Sequence, residues 1–422
     1  MHIRPFKNLS GVIRLPGDKA VTHRAVILSG IAQGTAKITN ALMGTDCLAT
    51  IDCMARLGAK IDTRGGILTV TGADMKLRSG LKLYCGNSGT TLKLLTGLLA
   101  GAGVSAQIDG EDALRKRPLA GFIEAFNGMG AKITSAGGGV APLVFKPAPL
   151  KGCEIFFSGG VKLKTALMLA GLFAKGGITL YEDNMAGDHS EILFEEMSAD
   201  IERGPGRLTV RPSRLKSVNI NIPGDISSAA YFIAAATLIP DSHVLLRKVG
   251  INPARTAIID AVNSCGGKVT VMNTGFTGGE KTADLLAEYS PGIRPFNITG
   301  EIAPGLLDEF PILAVMACFA VGRSRLSGGE TLRHKDGDRI ESTVNALKSM
   351  GARIYSEGGD IVIDGGGVLN GGAVIDPGGD HRIAMSMAVA AAASLEGAEI
   401  LTPEVVNASY PGFFEEFILR RV

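Results

Sequence analysis

The chain has 422 residues, of which 45% are hydrophobic and 20% charged, so its length predicts two globular domains of about 200 residues each and its composition excludes an intrinsically disordered protein. Its 43 Lys and Arg residues nearly balance its 41 Asp and Glu residues, and the net charge of +2 produces no overall field that would attract nucleic acid or an anionic membrane. The N-terminal segment lacks the apolar core of a signal peptide, and small residues interrupt the later apolar runs. We therefore expect a cytoplasmic protein that binds neither nucleic acid nor membrane.

The predicted elements recur along the chain about every 70 residues. One unit is a helix of small residues, a Gly or Pro that stops it, and a strand. A second unit alternates with the first and is a helix that closes on a turn into a strand, as in MARLGAKI or KSMGARI, with PGFFEEFILRR as its last helix. Six α/β modules with two helices each are predicted. The strands of the first unit are predicted to end at Ile38, Ile108, Leu180, Leu246, Leu326 and Leu401.

Composition also predicts how these modules pack. The chain contains 57 Gly and no Trp, and only 5% of its residues are aromatic, so close packing must come from small and aliphatic residues. The six cysteines include no CxxC pair and have no His nearby, which is typical of reduced, mostly buried thiols. We expect neither a metal nor another cofactor. The cysteines are Cys47, Cys53, Cys85, Cys153, Cys265 and Cys318.

Two segments echo each other outside the repeat. IRLPGDKAV surrounds Pro16 and INIPGDISS surrounds Pro223, and both join a strand to a helix start. Asp18 and Asp225 are the candidate N-cap residues of these two helices. We interpret the segments as the two points at which the chain crosses between domains. The predicted domains are an inserted domain of residues 16–225 and a discontinuous domain of residues 1–15 plus 226–422.

Cationic residues gather beside Gly- and Pro-rich helix starts. Backbone N–H groups and the helix dipole favour phosphate or carboxylate there, and Arg adds bidentate pairing. A small ligand with several negative charges is indicated. The stretch CGNSGTT is neither a Walker loop nor a dinucleotide fingerprint, so ATP and NAD are not indicated. The cations are Lys19, Arg24, Lys93, Arg115, Lys116, Arg117, Arg333, Lys335, Arg339 and Arg382.

Carboxylates occur in the same segments. They are Asp308 and Glu309 in LLDEFP, Asp336 and Asp338 in KDGDRI, and Asp380 in GDHRI. A carboxylate beside Lys or Arg commonly forms a structural ion pair. Asp308 precedes an apolar helix directly and is the best candidate for a general base. The histidines show no HxxxH or HExxH spacing that would indicate zinc.

At these motifs the chain resembles the 5-enolpyruvylshikimate-3-phosphate (EPSP) synthase family, the enolpyruvyl transferases of the shikimate pathway. LPGDKAVTHRA is similar to the family segment L-P-G-[SD]-K-S-x-S-x-R. CGNSGTT, RKRP, PGDISSAAYFIAAA, INPARTAIIDAV, LLDEFPILAV, LRHKDGDRI and GGDHRIAMSMAVA match further family segments in the family's order. The resemblance implies a two-domain inside-out α/β barrel with three βαβαββ repeats per domain, six in total, and a ligand cleft at the inter-domain crossings.

The resemblance also implies a reaction. The carboxyvinyl group of phosphoenolpyruvate (PEP) moves to the hydroxyl of shikimate 3-phosphate through a tetrahedral intermediate, and phosphate leaves without a metal. Asp308 matches the family's base, and either Lys19 or Asp336 protonates the PEP methylene carbon. The base and the PEP-binding arginines are expected in the discontinuous domain, and acceptor and phosphate binding in the inserted domain. A monomer is the family habit.

The resemblance assigns binding roles residue by residue. The residues expected to bind PEP are Lys19, Gly89, Arg117, Arg339 and Arg382. The residues expected to bind the acceptor are Arg24, Asp308, Lys335 and Lys162.

The chain departs from the family chiefly where the acceptor should bind. Ala20 replaces a Ser, Gly187 replaces the Arg of R-D-H-T-E, and Lys93 replaces another Arg. The segment S-A-Q-V-K-S aligns with residues 160–165, so Gly160 replaces Ser and Lys162 replaces Gln; a two-residue shift keeps Ser158 instead. Asp336 stands where the family has Glu.

These departures leave three hypotheses open. The chain is a divergent form of the shikimate enzyme, a paralogue that transfers the enolpyruvyl group to another hydroxylated acceptor, or a catalytically weak anion-binding protein. In either enzyme, Lys162 or Lys164 could compensate for lost acceptor contacts. The related UDP-N-acetylglucosamine enolpyruvyl transferase is disfavoured, because its Lys-Asn pair is Lys19-Ala20 here.

Overall fold

The computed structural model describes residues 1–157, 160–182, 187–335 and 337–421. Short strands and helices alternate through this part of the chain. The strands are β1 His2–Ile3, β2 Ser10–Arg14, β3 Thr35–Thr39, β4 Lys60–Asp62, β5 Ile67–Thr71, β6 Leu81–Tyr84, β7 Ala106–Asp109, β8 Lys132–Ser135, β9 Leu143–Lys146, β10 Lys151–Phe157, β11 Lys175–Glu182, β12 Ile201–Gly204, β13 Arg207–Val210, β14 Ile220–Asn221, β15 His243–Gly250, β16 Lys268–Thr277, β17 Glu280–Glu288, β18 Asn297–Ile298, β19 Gly322–Leu326, β20 Ile354–Glu357, β21 Asp360–Gly365, β22 Ala373–Ile375 and β23 Ala398–Ile400.

The helices follow the predicted alternation of two helix types. The α-helices are α1 Lys19–Ile31, α2 Thr45–Leu57, α3 Gly89–Ala102, α4 Asp112–Arg115, α5 Ala120–Gly128, α6 Gly160–Gly171, α7 His189–Glu196, α8 Ile226–Leu238, α9 Ala257–Ser264, α10 Phe310–Phe319, α11 Arg339–Ser349, α12 His381–Ala393 and α13 Phe413–Leu419. Short 3-10 turns cover Arg64–Gly66, Ala303–Gly305, Glu330–His334 and Pro403–Ala408.

The chain divides into two compact units. The first contains Met1–Pro16, Gly224–Gly275 and Lys281–Val422, and the second contains Gly17–Pro223 and Phe276–Glu280. The last of these segments is the connection between β16 and β17. The sequence analysis did not anticipate that this connection belongs to the second unit, because a hairpin tip carries no local sign of the unit against which it packs.

The predicted repeats are confirmed as a recurring sheet pattern. Each four-stranded sheet of the described chain places a parallel strand beside a three-stranded antiparallel group, and one smaller sheet has three strands. A strand that precedes a PGD segment pairs within the unit that the chain is about to leave: β2 with β15 in the first, and β14 with β3 in the second. The sheets are β14-β3-β5-β4, β6-β7-β9-β8, β10-β11-β13-β12, β16-β17-β15-β2, β18-β19-β21-β20 and β1-β23-β22.

Small residues allow the central helices of the second unit to pack closely. A Cβ atom added to Gly97 of α3 would lie 2.0 Å from the main-chain oxygen of Ala166 in α6, and one added to Gly101 would lie 2.7 Å from Cα of Ala170. Only the absence of a side chain permits this approach. Each unit has its own buried apolar cluster, so the low aromatic content of the chain is offset by close backbone packing.

The predicted helix caps and turns are also confirmed. The side chain of Asp18 accepts a hydrogen bond from the main-chain N–H of Val21 at 2.9 Å, and that of Asp225 accepts one from Ser227 at 2.8 Å. These bonds satisfy donors that a helix start otherwise leaves unpaired. In the turn EEMSADI, which has no Gly, Ser198 itself adopts a φ of 61°.

The described chain has no helix that combines the length and the apolar character needed to span a membrane. All six cysteines are free thiols, and all but Cys153 are buried, as predicted.

Candidate functional site

Several charged side chains of the first unit lie together at the N-terminal ends of its helices. Helices α8, α10 and α12 are almost fully buried there, and residues in or just before their first turns contact one another. The Nη1 group of Arg382 donates to the main-chain oxygen of Asp308 at 3.1 Å, and the hydroxyl of Ser227 donates to Glu309. The apolar sequences that bury these helices therefore bring together residues that are far apart in the chain.

The carboxylate of Asp308 contacts three of the predicted cations. Lys335 Nζ lies 3.1 Å and Arg339 Nη1 3.2 Å from Oδ1, and Arg382 Nη2 lies 3.1 Å from Oδ2. The side chain of Asp308 is nevertheless 39% exposed. The structure thus brings the predicted base and three predicted anion-binding cations into one cluster.

The charges around Asp308 determine its protonation state. Burial alone would raise the pKa of its carboxyl group, but the charges of Arg382, Lys335 and Arg339, with a smaller contribution from Arg255, hold that pKa well below its usual range. Asp308 is therefore ionised at neutral pH and can accept a proton or a hydrogen bond.

Arg339 is held from behind by Asp380. Its Nε donates to Asp380 Oδ2 at 2.6 Å, and both side chains are only 2% exposed. The other oxygen of Asp380 caps α12 through the main-chain N–H of Arg382 at 2.8 Å. A buried charge is tolerated when it is paired and hydrogen-bonded, as here. Asp380 therefore orients Arg339 through an ion pair. It also caps the start of α12, the helix that carries Arg382.

A polar network that the sequence analysis missed lies on the other side of Arg382. Arg255 Nη2 donates to the hydroxyl of Ser227 at 2.7 Å, and that hydroxyl donates to the buried carboxylate of Glu309. Arg382 Nη1 lies 3.9 Å from Glu309, and Arg255 lies 3.9 Å from Asp225. The sequence did signal Arg255, since it lies in the matching segment INPARTAIIDAV, but a single cation beside Pro indicates no partner.

In the second unit, Lys19 pairs with a carboxylate. Lys19 is the first residue of α1, and its Nζ lies 2.5 Å from Oδ2 of Asp46, which is in the first turn of α2. Burial would raise the pKa of Asp46, but the charge and hydrogen bond of Lys19 outweigh it and the pKa is lowered. Sequence analysis identified Lys19 but not Asp46, because the partner is 27 positions away in the printed sequence.

Gly89 and Arg117 also lie together. A Cβ atom at Gly89 would lie 2.6 Å from Nη1 of Arg117, whose Nη2 donates to Asn87 at 3.1 Å. The missing side chain allows the guanidinium to lie against the first turn of α3. Arg117 also contributes to the field that lowers the pKa of Asp46. Arg115, by contrast, pairs with Asp109 on the surface at 2.8 Å.

Arg24 is buried among three segments of the second unit. Its Nε donates to Ser190 at 2.8 Å, its Nη2 to Thr165 at 2.8 Å, and its Nη1 to the main-chain oxygen of Ala20 at 2.9 Å. These bonds join α1 to α6 and α7. Ser190 and Thr165 were not singled out by the sequence, although both lie in segments compared with the family.

The two lysines that could compensate for lost acceptor contacts differ in their surroundings. Lys164 is buried, with Nζ 2.7 Å from Glu191 Oε1 and 3.6 Å from Glu182 Oε2. Lys162 is exposed on the same helix, and its charge is one of those that lower the pKa of His23. Lys162 is therefore exposed to solvent, whereas Lys164 is committed to an internal ion pair.

The other departures from the family also have definite surroundings. Lys93 Nζ lies 5.1 Å from the ring centroid of Phe122, a cation–π contact. Gly187 is buried, and Asp188 beside it pairs with Arg203 at 2.7 Å. Asp336 lies outside the described residues. Within the described chain no group of three or more His, Cys, Asp or Glu side chains is arranged to hold a metal.

A buried hydrogen-bond chain runs beside Lys19. His23 Nδ1 and the Thr50 hydroxyl are 2.7 Å apart, the hydroxyls of Thr50 and Thr91 are 2.6 Å apart, and Thr91 donates to Ser88 at 2.7 Å. Burial is the main cause that lowers the pKa of His23 from 6.5 to about 3. The imidazole is therefore neutral at neutral pH and adds no charge near Lys19.

This burial predicts a loss of stability in acid. The unfolded chain protonates His23 below pH 6.5, whereas the folded chain resists protonation until about pH 3, so stability falls as the pH falls between these values. At pH 4.5 this effect lowers the free energy of unfolding by about 2–3 kcal/mol relative to pH 7. In urea unfolding at pH 7 and pH 4.5, His23→Gln should lose that much less stability than the wild type on acidification. His243→Gln, at an exposed position, should behave as the wild type; equal acid sensitivity of His23→Gln and wild type would contradict the assignment.

Comparison with known proteins places these features in one family. The family model for EPSP synthase (3-phosphoshikimate 1-carboxyvinyltransferase) matches residues 3–417. The 3-phosphoshikimate 1-carboxyvinyltransferase of Thermoanaerobacter sp. (strain X514) is 38% identical over 422 residues, 99% of each chain. That of Geobacter metallireducens is 38% identical over 420 residues, 98% of this chain and 97% of the relative.

Solved structures agree with the sequence relatives. EPSP synthase from Acinetobacter baumannii superimposes with a TM-score of 0.87 at 32% identity, covering 100% of this chain and 97% of that one. The enolpyruvyl transferase NikO from Streptomyces tendae has a TM-score of 0.78 over 99% of this chain and 96% of that one; at 17% identity it supports the fold alone. The two-domain inside-out α/β barrel expected from the sequence is thereby confirmed, and the chain belongs to the EPSP synthase (3-phosphoshikimate 1-carboxyvinyltransferase) family.

Proposed function

We propose that this chain carries out its family's reaction through the residues described above. The carboxyvinyl group of PEP is transferred to the hydroxyl of shikimate 3-phosphate, and phosphate is released, in the pathway to aromatic amino acids. The observation that carries this proposal is the cluster in which Lys335, Arg339 and Arg382 surround the carboxylate of Asp308. Such a cluster combines an ionised base with the cations that a phosphorylated carboxylate substrate requires.

The proposed chemistry has two steps. Asp308 accepts the proton of the acceptor hydroxyl while the oxygen attacks C2 of PEP, and the methylene carbon takes up a proton to form the tetrahedral intermediate. The deprotonated acid then takes a proton back from that carbon, the carbon–carbon double bond forms again, and the bond between C2 and the phosphate oxygen breaks, which releases phosphate. Lys19 carries a proton that it can donate, since the carboxylate of Asp46 at 2.5 Å favours its ammonium form. Asp336 remains the second predicted acid.

The binding roles follow the charges of the described residues. Bidentate guanidinium groups suit the phosphate and carboxylate of PEP. The proposed PEP-binding residues are Lys19, Gly89, Arg117, Arg339 and Arg382. The proposed acceptor-binding residues are Arg24, Lys162, Asp308 and Lys335.

The hypothesis of a paralogue with another acceptor is not favoured. Relatives that share the name 3-phosphoshikimate 1-carboxyvinyltransferase match over nearly the whole chain at 36–39% identity. The same relatives argue against a catalytically weak anion-binding protein. We also propose that the protein works as a monomer in the cytoplasm.

Phosphate release tests the proposed reaction. Purified protein should release phosphate from PEP rapidly with shikimate 3-phosphate present and only at background rate without it. The full time course should leave one phosphate per EPSP formed. The proposed function would be rejected if phosphate release did not depend on the acceptor. It would also be rejected if no phosphate were released at saturating concentrations of both substrates.

Lys162 provides a test of acceptor binding. Removing an exposed cation that the proposal places beside the anionic acceptor should weaken binding, so Lys162→Ala should raise KM for shikimate 3-phosphate about tenfold while changing kcat little. Lys175→Ala, at an exposed position of β11, is the matched control and should leave both constants unchanged. Steady-state kinetics with the acceptor varied measure both variants. An unchanged KM for Lys162→Ala would remove this residue from the acceptor site.

A further inference from the structure

All three cations around Asp308 form ion pairs with its single carboxylate. Two of them contact Oδ1 and the third contacts Oδ2, at 3.1–3.2 Å. These are also cations to which the proposed function assigns substrate anions, and the present inference rests on that assignment. We infer that Asp308 competes with the substrate anion for Lys335, Arg339 and Arg382, and that its own charge thereby weakens anion binding.

The two arginines are held by other groups, so the Asp308 carboxylate is the partner that moves when an anion binds. Arg339 is only 2% exposed and is held at Nε by Asp380 at 2.6 Å. Arg382 is 10% exposed and is held at Nη1 by the main-chain oxygen of Asp308. The carboxylate of Asp308, by contrast, is 39% exposed and can move. The two arginines are therefore fixed in place, and an incoming anion meets them where the carboxylate now lies.

Competition also couples substrate binding to base strength. The cations that hold Asp308 ionised keep its pKa well below the usual range, which makes it a weak base. An anion that takes over part of those contacts reduces this effect, so the proton affinity of Asp308 rises when substrate binds. By linkage, the same coupling lowers the affinity for the anion while Asp308 is charged. Asp308 thus becomes a stronger base only once the substrate is present.

Asp308→Asn separates this role from that of a base. The substitution keeps the shape and removes the charge. It should abolish turnover and yet bind PEP and inorganic phosphate about tenfold more tightly than the wild type, as measured for each ligand by isothermal titration calorimetry on the full chain. A residue that acted only as a base would leave these dissociation constants unchanged. The matched control is Asp364→Asn, which removes a charge from the same unit where Asp364 pairs with Arg323 at 2.7 Å; its affinities should equal those of the wild type.

The outcomes are distinct. An affinity of Asp308→Asn that is unchanged or weaker, in a protein with a native circular dichroism spectrum, would overturn the inference. If the wild type releases no phosphate from PEP, the proposed function fails, and the titration with inorganic phosphate still decides the competition. If Asp308→Asn does not fold, carbon-13 resonances of the wild-type Asp carboxyl groups decide instead. The Asp308 titration should move to higher pH when phosphate is added, and an unchanged titration would refute competition.

Discussion

Replacing Lys19 by Ala should lower kcat by about a thousandfold or more. In the proposed mechanism the ammonium group of Lys19, which lies 2.5 Å from Asp46 at the start of α1, delivers a proton to PEP and neutralises the charge that develops on it. Loss of both effects removes stabilisation specific to the transition state, so kcat should fall more than KM rises. Initial rates of phosphate release at saturating PEP and shikimate 3-phosphate measure this effect.

The control for this variant is Lys60→Ala, which removes an exposed lysine of β4 from the same unit and should leave kcat unchanged. Lys19→Arg is a sharper comparison, because it keeps the charge but not the compact proton donor. We expect this variant to remain largely inactive. If Lys19→Ala retains kcat within tenfold of the wild type, Lys19 is not the acid. The role of acid then passes to Asp336, the second predicted acid.

Replacing Gly97 by Val should destabilise the second unit by about 3 kcal/mol or more. The added Cβ would lie 2.0 Å from a main-chain oxygen of α6, and a backbone atom cannot move aside as a flexible side chain can. Helices α3 and α6 would have to separate, and both carry proposed site residues. Thermal unfolding should show a midpoint about 10 °C lower, the shift that such a loss produces in a unit of about 200 residues.

Gly121 provides the matched control in the same unit. It lies in α5 with no atom within 4 Å of an added Cβ, so Gly121→Ala should raise stability by about 0.5–1 kcal/mol through improved helix propensity. If Gly97→Val is as stable as Gly121→Ala, the close approach of α3 and α6 does not require Gly at position 97.

The repeat and the fold could be predicted because their causes are local. A Gly in the left-handed region ends a helix wherever it occurs, and a Ser, Asp or Asn before a helix caps it. Turns such as the one at Gly58, with φ of 125°, therefore mark the ends of helices in the sequence itself. The connection between β16 and β17 was not predicted to join the second unit, since it packs against β14 and α7, which are both distant in the chain. Glu280 there lies 2.7 Å from His189 of α7.

The sequence by itself predicted which residues bind an anion. Lys19, Arg117, Lys335, Arg339 and Arg382 were identified by their positions beside helix starts and by the resemblance to a family. Composition and spacing suffice for this, because a cation at a helix start offers the same chemistry in any fold.

Only the tertiary structure decided how these residues are paired. It paired Asp46 with Lys19 and Asp380 with Arg339. It also placed the hydrogen-bonded network of Arg255, Ser227 and Glu309 beside Arg382. It also separated the buried Lys164 from the exposed Lys162. The electrostatic energy of a charge depends on burial and on partners a few ångströms away. Those partners come from distant parts of the chain, so the protonation state of Asp308 and the competition for its cations could be derived only from the folded molecule.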